Sequence, residues 1–219
     1  MQQEYLLESA NVVGVPRSTL YRWRARKTQR LDSLISKSRR PKSLRKAKNR
    51  SREAIQIDHM SVPIASGCIL KHFNAVCTVS RWNTAEVYSK ATAKTTSDFI
   101  DKVVKRSPFP IQRIQVDGGS EFMAEFEQAC KRHHLDLAVL APKSPKLNGH
   151  VERINGTWRT DFYELYDLPT QLAELRPLLH DYMDTYNWDR PHEALDLQTP
   201  QEYLESKGFK VSPLQSHMS

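Results

Sequence analysis

From residue 53 onward the apolar residues fall into short runs broken by polar and turn-forming residues, and the period of those runs changes along the chain. Ala54-Ile55-Gln56-Ile57-Asp58 is an apolar stretch ending on an acid and predicts a strand. Alternation over residues 68–79, with Phe73, Ala75 and Cys77 on one side, and a β-prone run at 84–88 predict two more, the three forming an antiparallel meander. Residues 97–105 then carry Phe99, Ile100, Val103 and Val104 at helical spacing. A strand over 111–117, a helix over 121–132 with Phe122, Phe126 and Ala129 inward, and a strand over 135–140 follow. A loop rich in Ser, Pro, Asn and Gly leads into a long helical pattern carrying Glu152. After Leu168 the spacing of Leu172, Leu175, Leu178, Leu179 and Tyr182 predicts a helix through Tyr186. Thr199-Pro200-Gln201-Glu202 has the form of a capping box with proline at the first helical position. Strands followed by strand–helix alternation predict an α/β layered fold.

The first 52 residues have a different character. They hold 15 Lys and Arg against 3 acids, net +12, whereas the remaining 167 hold 18 against 22, net −4. A basic arm on a mildly acidic body points to a polyanionic partner, because such an arm neutralises phosphates and releases counterions. Within residues 1–30, Tyr5, Leu6, Leu7 and Ala10 precede Gly14 and Pro16, and then Arg17-Ser18-Thr19-Leu20-Tyr21-Arg22-Trp23-Arg24 follows. The pattern predicts a helix-turn-helix whose Leu20 and Trp23 pack inward, leaving Arg17, Ser18, Thr19, Tyr21, Arg22 and Arg24 to face DNA. Only about ten residues precede the turn, so the unit is expected to be partial. Residues 31–52 are too polar for a core and read as a phosphate-tracking linker.

Hydrophobic and charged contents of 39% and 26% suit a soluble protein. No apolar run approaches the roughly 20 residues of a membrane helix, and no signal-peptide pattern opens the chain, so a cytoplasmic protein is expected. Cys68, Cys77 and Cys130 form no Cys-x-x-Cys pair and are expected to be reduced core residues. Cys130 lies near His133 and His134 but without a fourth ligand at zinc spacing.

The candidate chemistry lies in three acids. Asp117 closes a predicted strand and is followed by Gly118 and Gly119; Glu152 opens a helix 34 residues further on; Asp58 closes the first strand. This constellation resembles the catalytic core of the retroviral-integrase-like transposases of insertion sequences, whose triad is Asp, Asp and Glu. The series Tyr186-Asn187, Arg190-Pro191-His192 and Thr199-Pro200 is similar to their C-terminal signature. The resemblance implies an RNase H-like core with a mixed sheet flanked by helices over 53–168. A partial helix-turn-helix (1–30) and the basic linker (31–52) precede it, and a helical extension (169–219) follows and packs against it. It also implies two Mg²⁺ or Mn²⁺ ions, with Asp58 bridging both and Asp117 and Glu152 each completing one. No nucleophilic side chain is then needed, because a water or a DNA 3′-hydroxyl attacks.

The expected partners are element ends and target DNA, engaged by a homo-oligomer. Lys143 and Lys146 in the loop before Glu152 are expected to meet phosphates, as are Asn155 and Arg159, which share its helix face. Arg153 is expected to be a surface ion-pair partner and Trp158 a core residue. Gly118 and Gly119 are read as allowing close backbone approach to a metal, and the family often has Asn where Gly118 stands. Two other functions fit parts of the chain. A proofreading-type exonuclease pairs acids as Asp-x-Glu on the first strand, where this chain has Met60. A non-catalytic DNA-binding regulator fits the short N-terminal unit, and the intact triad counts against it.

Overall fold

The structure is a computed structural model that describes residues 54–65, 67–140, 148–164 and 168–212. Five strands form one mixed sheet: β1 (Ala54–Ala65), β2 (Cys68–Cys77), β3 (Asn83–Tyr88), β4 (Arg113–Val116) and β5 (Asp136–Val139), in the order β3-β2-β1-β4-β5. The predicted meander is present, with β1–β2 and β2–β3 antiparallel, and β4 and β5 then add in parallel on the other side of β1. Helices α1 (Ala93–Arg106) and α2 (Glu125–Arg132) cover one face. Helices α3 (Gly149–Trp158) and α4 (Leu172–Asp189) cover the other. A short α5 (Pro200–Ser206) closes the fold, and Thr199 and Glu202 form the predicted capping box.

Strand parity decides which residues feed which core. Ile55 and Ile57 of β1, Phe73, Ala75 and Cys77 of β2, and Ile114 and Val116 of β4 pack against Phe99, Ile100 and Val103 of α1 and Phe126 and Ala129 of α2. The opposite parity sends Met60, Val62, Leu70, Val76, Ala85 and Val87 against Val151, Ile154 and Trp158 of α3 and Leu175, Leu179 and Tyr182 of α4. Gln56 and Asp58 share the parity of Met60 and therefore face α3. Of the segment after 168, α4 belongs to the second core, while Leu204 of α5 and the following Phe209 and Val211 pack against the first.

Two elements differ from the sequence reading. The first strand does not end at Asp58 but runs on to Ala65, paired with β2 as far as Ala65↔Cys68. Met60 and Val62 keep the inward alternation, while Ser61 and Pro63 point out. β1 pairs with β4 only over Ala54–Gln56, so Pro63 lies beyond the β4 ladder, beside a register shift where a missing N–H is tolerated. The helix predicted over 121–132 is broken. A 3₁₀ turn (Ser120–Phe122) precedes Ala124, whose φ of 49° interrupts the helical path before α2 begins. Cys77 and Cys130 are buried free thiols and Cys68 is half-buried, while His133 binds Asp101 at 2.6 Å.

Candidate active site

The register of β1 against β4 brings the first two acids together. Gln56 lies opposite Gln115 in the parallel ladder, so two residues further along each strand Asp58 and Asp117 come level. Asp58 is partly buried, mid-strand with respect to β2 but at the end of the β4 pairing. Asp117 is exposed just past the tip of β4, and its Oδ1 accepts the Gly119 N–H at 3.2 Å. Glu152 is exposed in the first turn of α3, the helix that packs over the Asp58 face. Burial, and then the negative charges of Asp117 and Glu152, hold the Asp58 carboxyl above its ordinary range, against the His59 N–H that favours its ionised form. All three acids therefore lie on one end and one side of the sheet. Among the described residues they are not drawn into a closed group of three ligands.

The neighbours of Asp58 form a ladder of amides. The Asn155 Nδ2 donates to Asp58 Oδ2 at 3.0 Å, and Asn155 Oδ1 accepts from Asn74 Nδ2 at 2.7 Å. Asn74 Oδ1 accepts from Asn83 Nδ2 at 3.2 Å, and Asn83 Oδ1 accepts from the indole N–H of Trp158 at 3.1 Å. Asn187 of α4 closes the series with two bonds of 2.8 Å to the backbone N–H and C=O of Asn83. These asparagines are all buried, where an unpaired amide costs about 1–3 kcal/mol, so each fixes the next. The other Asp58 oxygen, Oδ1, accepts the His59 N–H at 2.8 Å, leaving the carboxylate little rotational freedom.

The start of α3 is also tied to β1. Its N-cap residue, Asn148, makes no side-chain cap bond. Gln56 Oε1 instead accepts from the N–H groups of His150 and Val151, at 3.1 and 3.3 Å. A buried glutamine two residues before Asp58 thus satisfies helix-end donors one and two residues before Glu152. Gln56, Asn74, Asn83 and Asn187 were not anticipated; their one signal is an amide at an inward position of an otherwise apolar element.

The predicted DNA contacts divide. Arg159 is exposed on the Glu152 face of the helix. Asn155 is not turned to solvent: it is 7% exposed, with both ends of its amide engaged, because it lies over the sheet rather than over the Glu152 surface. Arg17, Ser18, Thr19, Tyr21, Arg22, Arg24, Lys143 and Lys146 lie outside the described residues. Trp158 is fully buried, and Arg153 is exposed beside a cavity rather than paired with an acid of its own helix. Met60, where an exonuclease would carry its second acid, is buried in the second core. A Cβ on Gly118 would meet nothing within 4 Å, so the chain's own packing does not demand glycine there.

The integrase core domain family matches this chain twice, over residues 48–145 and over residues 133–200, a continuous span that takes in all five strands and helices α1 to α4. The chain belongs to the integrase core family. An insertion element IS136 protein of Agrobacterium fabrum is 29% identical over 108 residues, covering 48% of this chain and 53% of the relative. The chain spans about half or less of the length of the insertion-element relatives it matches. Its architecture is similar to that of a chain of the simian T-cell lymphotropic virus intasome solved in complex with PP2A regulatory subunit B56 gamma (TM-score 0.62, 19% identity, 76% of this chain, 59% of the other). It is also similar to the HTLV-2 integrase catalytic core solved with magnesium in a trimeric form (TM-score 0.55, 18% identity, 69% and 95% covered). These likenesses give this integrase-family chain the RNase H-like fold expected from its element order.

Proposed function

We propose that this protein is a DNA transposase of the integrase type, which cleaves phosphodiesters at element ends and joins the freed 3′-hydroxyl to target DNA. The observation that carries the reading is the level placement of Asp58 and Asp117 on adjacent parallel strands, with Glu152 on the helix packed over the same face. Three carboxylates from three elements are hard oxygen donors of the kind Mg²⁺ or Mn²⁺ takes, and the Asp58 carboxyl is raised first by burial and, to a smaller extent, by the charges of Asp117 and Glu152. Asp58, Asp117 and Glu152 would hold two such ions. Bound there, the ions supply charge neutralisation at the phosphorus and at the attacking and leaving oxygens.

The chain's own contribution is positioning. Asn155 and the His59 N–H fix the Asp58 carboxylate, and Gln56 fixes the start of the helix that carries Glu152. Exposed Asp117, Glu152 and Arg159 leave the solvent side open to a DNA strand. In cleavage, phosphorus gains a bond to a water oxygen and loses its bond to the 3′-oxygen. In joining, that 3′-hydroxyl attacks a target phosphorus, gives up its proton and displaces a second 3′-oxygen. The basic residues 1–52 supply sequence-independent affinity, and two element ends handled together call for a homo-oligomer on DNA.

The test is direct. Asp58→Ala, Asp117→Ala and Glu152→Ala each abolish metal-dependent cleavage and joining while a gel-shift assay still shows DNA binding. Full strand transfer by any one of them discards the site, and wild-type protein that binds DNA without metal-dependent joining is a regulator instead.

A further inference from the structure

A cavity of about 610 Å³ lies against the flank of α3 away from the sheet amides. His150, Arg153, Ile154 and Thr157, at helical spacing, form one wall. Arg81, from the turn between β2 and β3, and Arg190 and His192, from the Arg-Pro-His sequence after α4, line it from the other sides, with apolar and aromatic groups such as Val76 and Tyr186 between them. Three arginines thus converge from three separate elements, with Glu193 the one carboxylate among the lining residues, while Asp161 binds Arg190 at 2.5 Å. Arg81 holds a φ of 64°, a left-handed conformation an L side chain adopts at a cost, and its guanidinium reaches the His150 ring.

His192 adds a second indication. Burial, and then the charges of Arg190 and Arg81, hold its imidazole neutral, down to about 3, and its Nε2 has no hydrogen-bond partner among the described residues. Cations gathered in one concavity repel unless an anion completes them, and guanidinium forks match phosphate in shape as well as charge.

We propose that this cavity seats a backbone phosphate of the DNA strand engaged at Asp58, Asp117 and Glu152, with Arg81 and Arg153 as its principal ligands. The inference rests on the DNA-processing function proposed above and adds a binding subsite to it. An α-helix is roughly 10–12 Å across, and a strand of DNA advances about 3.4 Å per nucleotide. One helix can therefore hold the reacting phosphate on one flank and a phosphate about three nucleotides away on the other. The Arg-Pro-His sequence, which packs against the core, then also shapes a DNA site.

The experiment uses the full chain and a set of duplex oligonucleotides in which single phosphates are replaced by neutral methylphosphonates. Wild-type protein is expected to lose about tenfold in affinity at one position, a penalty of about 1.4 kcal/mol. Arg153→Gln, an exposed position with little risk to folding, is expected to lose that penalty and to flatten the slope of log K against log salt by about 1. Lys131→Gln, removing a charge from α2, is expected to keep the positional penalty. An unchanged penalty and slope in Arg153→Gln overturn the subsite while leaving the transposase reading standing. Wild-type protein that binds no DNA overturns both. Inorganic phosphate that raises the melting temperature of wild type but not of Arg153→Gln, with no positional effect on DNA, reassigns the cavity to a free anion and also overturns the proposal.

Discussion

At the scale of the residue, the most consequential side chain outside the triad is Asn83. Its amide nitrogen donates to Asn74 and to the Ala75 carbonyl, its oxygen accepts from Trp158, and its backbone is bracketed by Asn187. Asn83→Leu, close in volume, strands at least the Asn74 oxygen and the Trp158 indole in the core. The expected loss is about 1–3 kcal/mol for each unsatisfied group, read from urea unfolding. Asp184 on α4 behaves oppositely. Burial, and then the neighbouring Asp181, push its carboxyl up to about 7. In the folded protein it keeps its proton where the unfolded chain, near its ordinary 3.8, has lost it. Its contribution to stability is therefore complete below about pH 4 and is lost as pH rises towards 7. Asp184→Asn should flatten that decline and leave the variant more stable than wild type at neutral pH, measured as melting temperature against pH.

At the scale of the element, Glu86 on the edge strand β3 ties two helices to the sheet. Its side chain is 1% exposed and meets Lys102 at 3.1 Å and Arg106 at 3.5 Å from α1, and Arg176 at 3.3 Å and His180 at 3.4 Å from α4. Burial alone would raise its carboxyl, but the His180 hydrogen bond and the charge of Lys102 outweigh it and bring the value down to about 2. Glu86→Ala leaves several cations facing one another at the sheet edge and should cost about 3–5 kcal/mol, checked by denaturant unfolding. The folded value is depressed, so this stabilisation is present above pH 4.5 and is lost as pH falls towards 2. Gln56→Leu should unfasten the start of α3 without emptying the core, seen as faster amide exchange at His150 and Val151.

The three meander strands could be read from their short apolar and alternating runs, although β3 and most of β2 are buried on both faces. The three acids stand out as candidates because Asp58 and Asp117 follow apolar runs, Asp117 before two glycines, and Glu152 opens a helical pattern. Other features could not be read this way. The length of β1 is set by β2 after β4 has dropped away, a pairing absent from the local pattern around Pro63. The break at Ala124 is a backbone choice at a residue with high helix propensity. The role of Asn155 depends on which flank of α3 meets the sheet, and helical spacing places it near Glu152 without saying what lies beneath.

At the scale of the whole molecule, the described residues form a three-layer body whose second core is completed by α4. Leu175, Leu179, Tyr182 and Met183 of α4 pack against the same sheet face as α3. Removing everything after residue 168 should yield a chain with a loosened fold, binding 8-anilinonaphthalene sulfonate and lacking a cooperative melt. No helix among the described residues is long and apolar enough to cross a membrane.

The asparagine ladder has a further consequence for the life of the polypeptide. Its first rung supports Asp58, and its last is contributed by Asn187, far downstream in the order of synthesis. A chain still emerging from the ribosome has made the acid long before it has made the brace. The candidate site is therefore braced only when translation has passed the fourth helix, and an interrupted copy carries the Asp58 carboxylate without its last support.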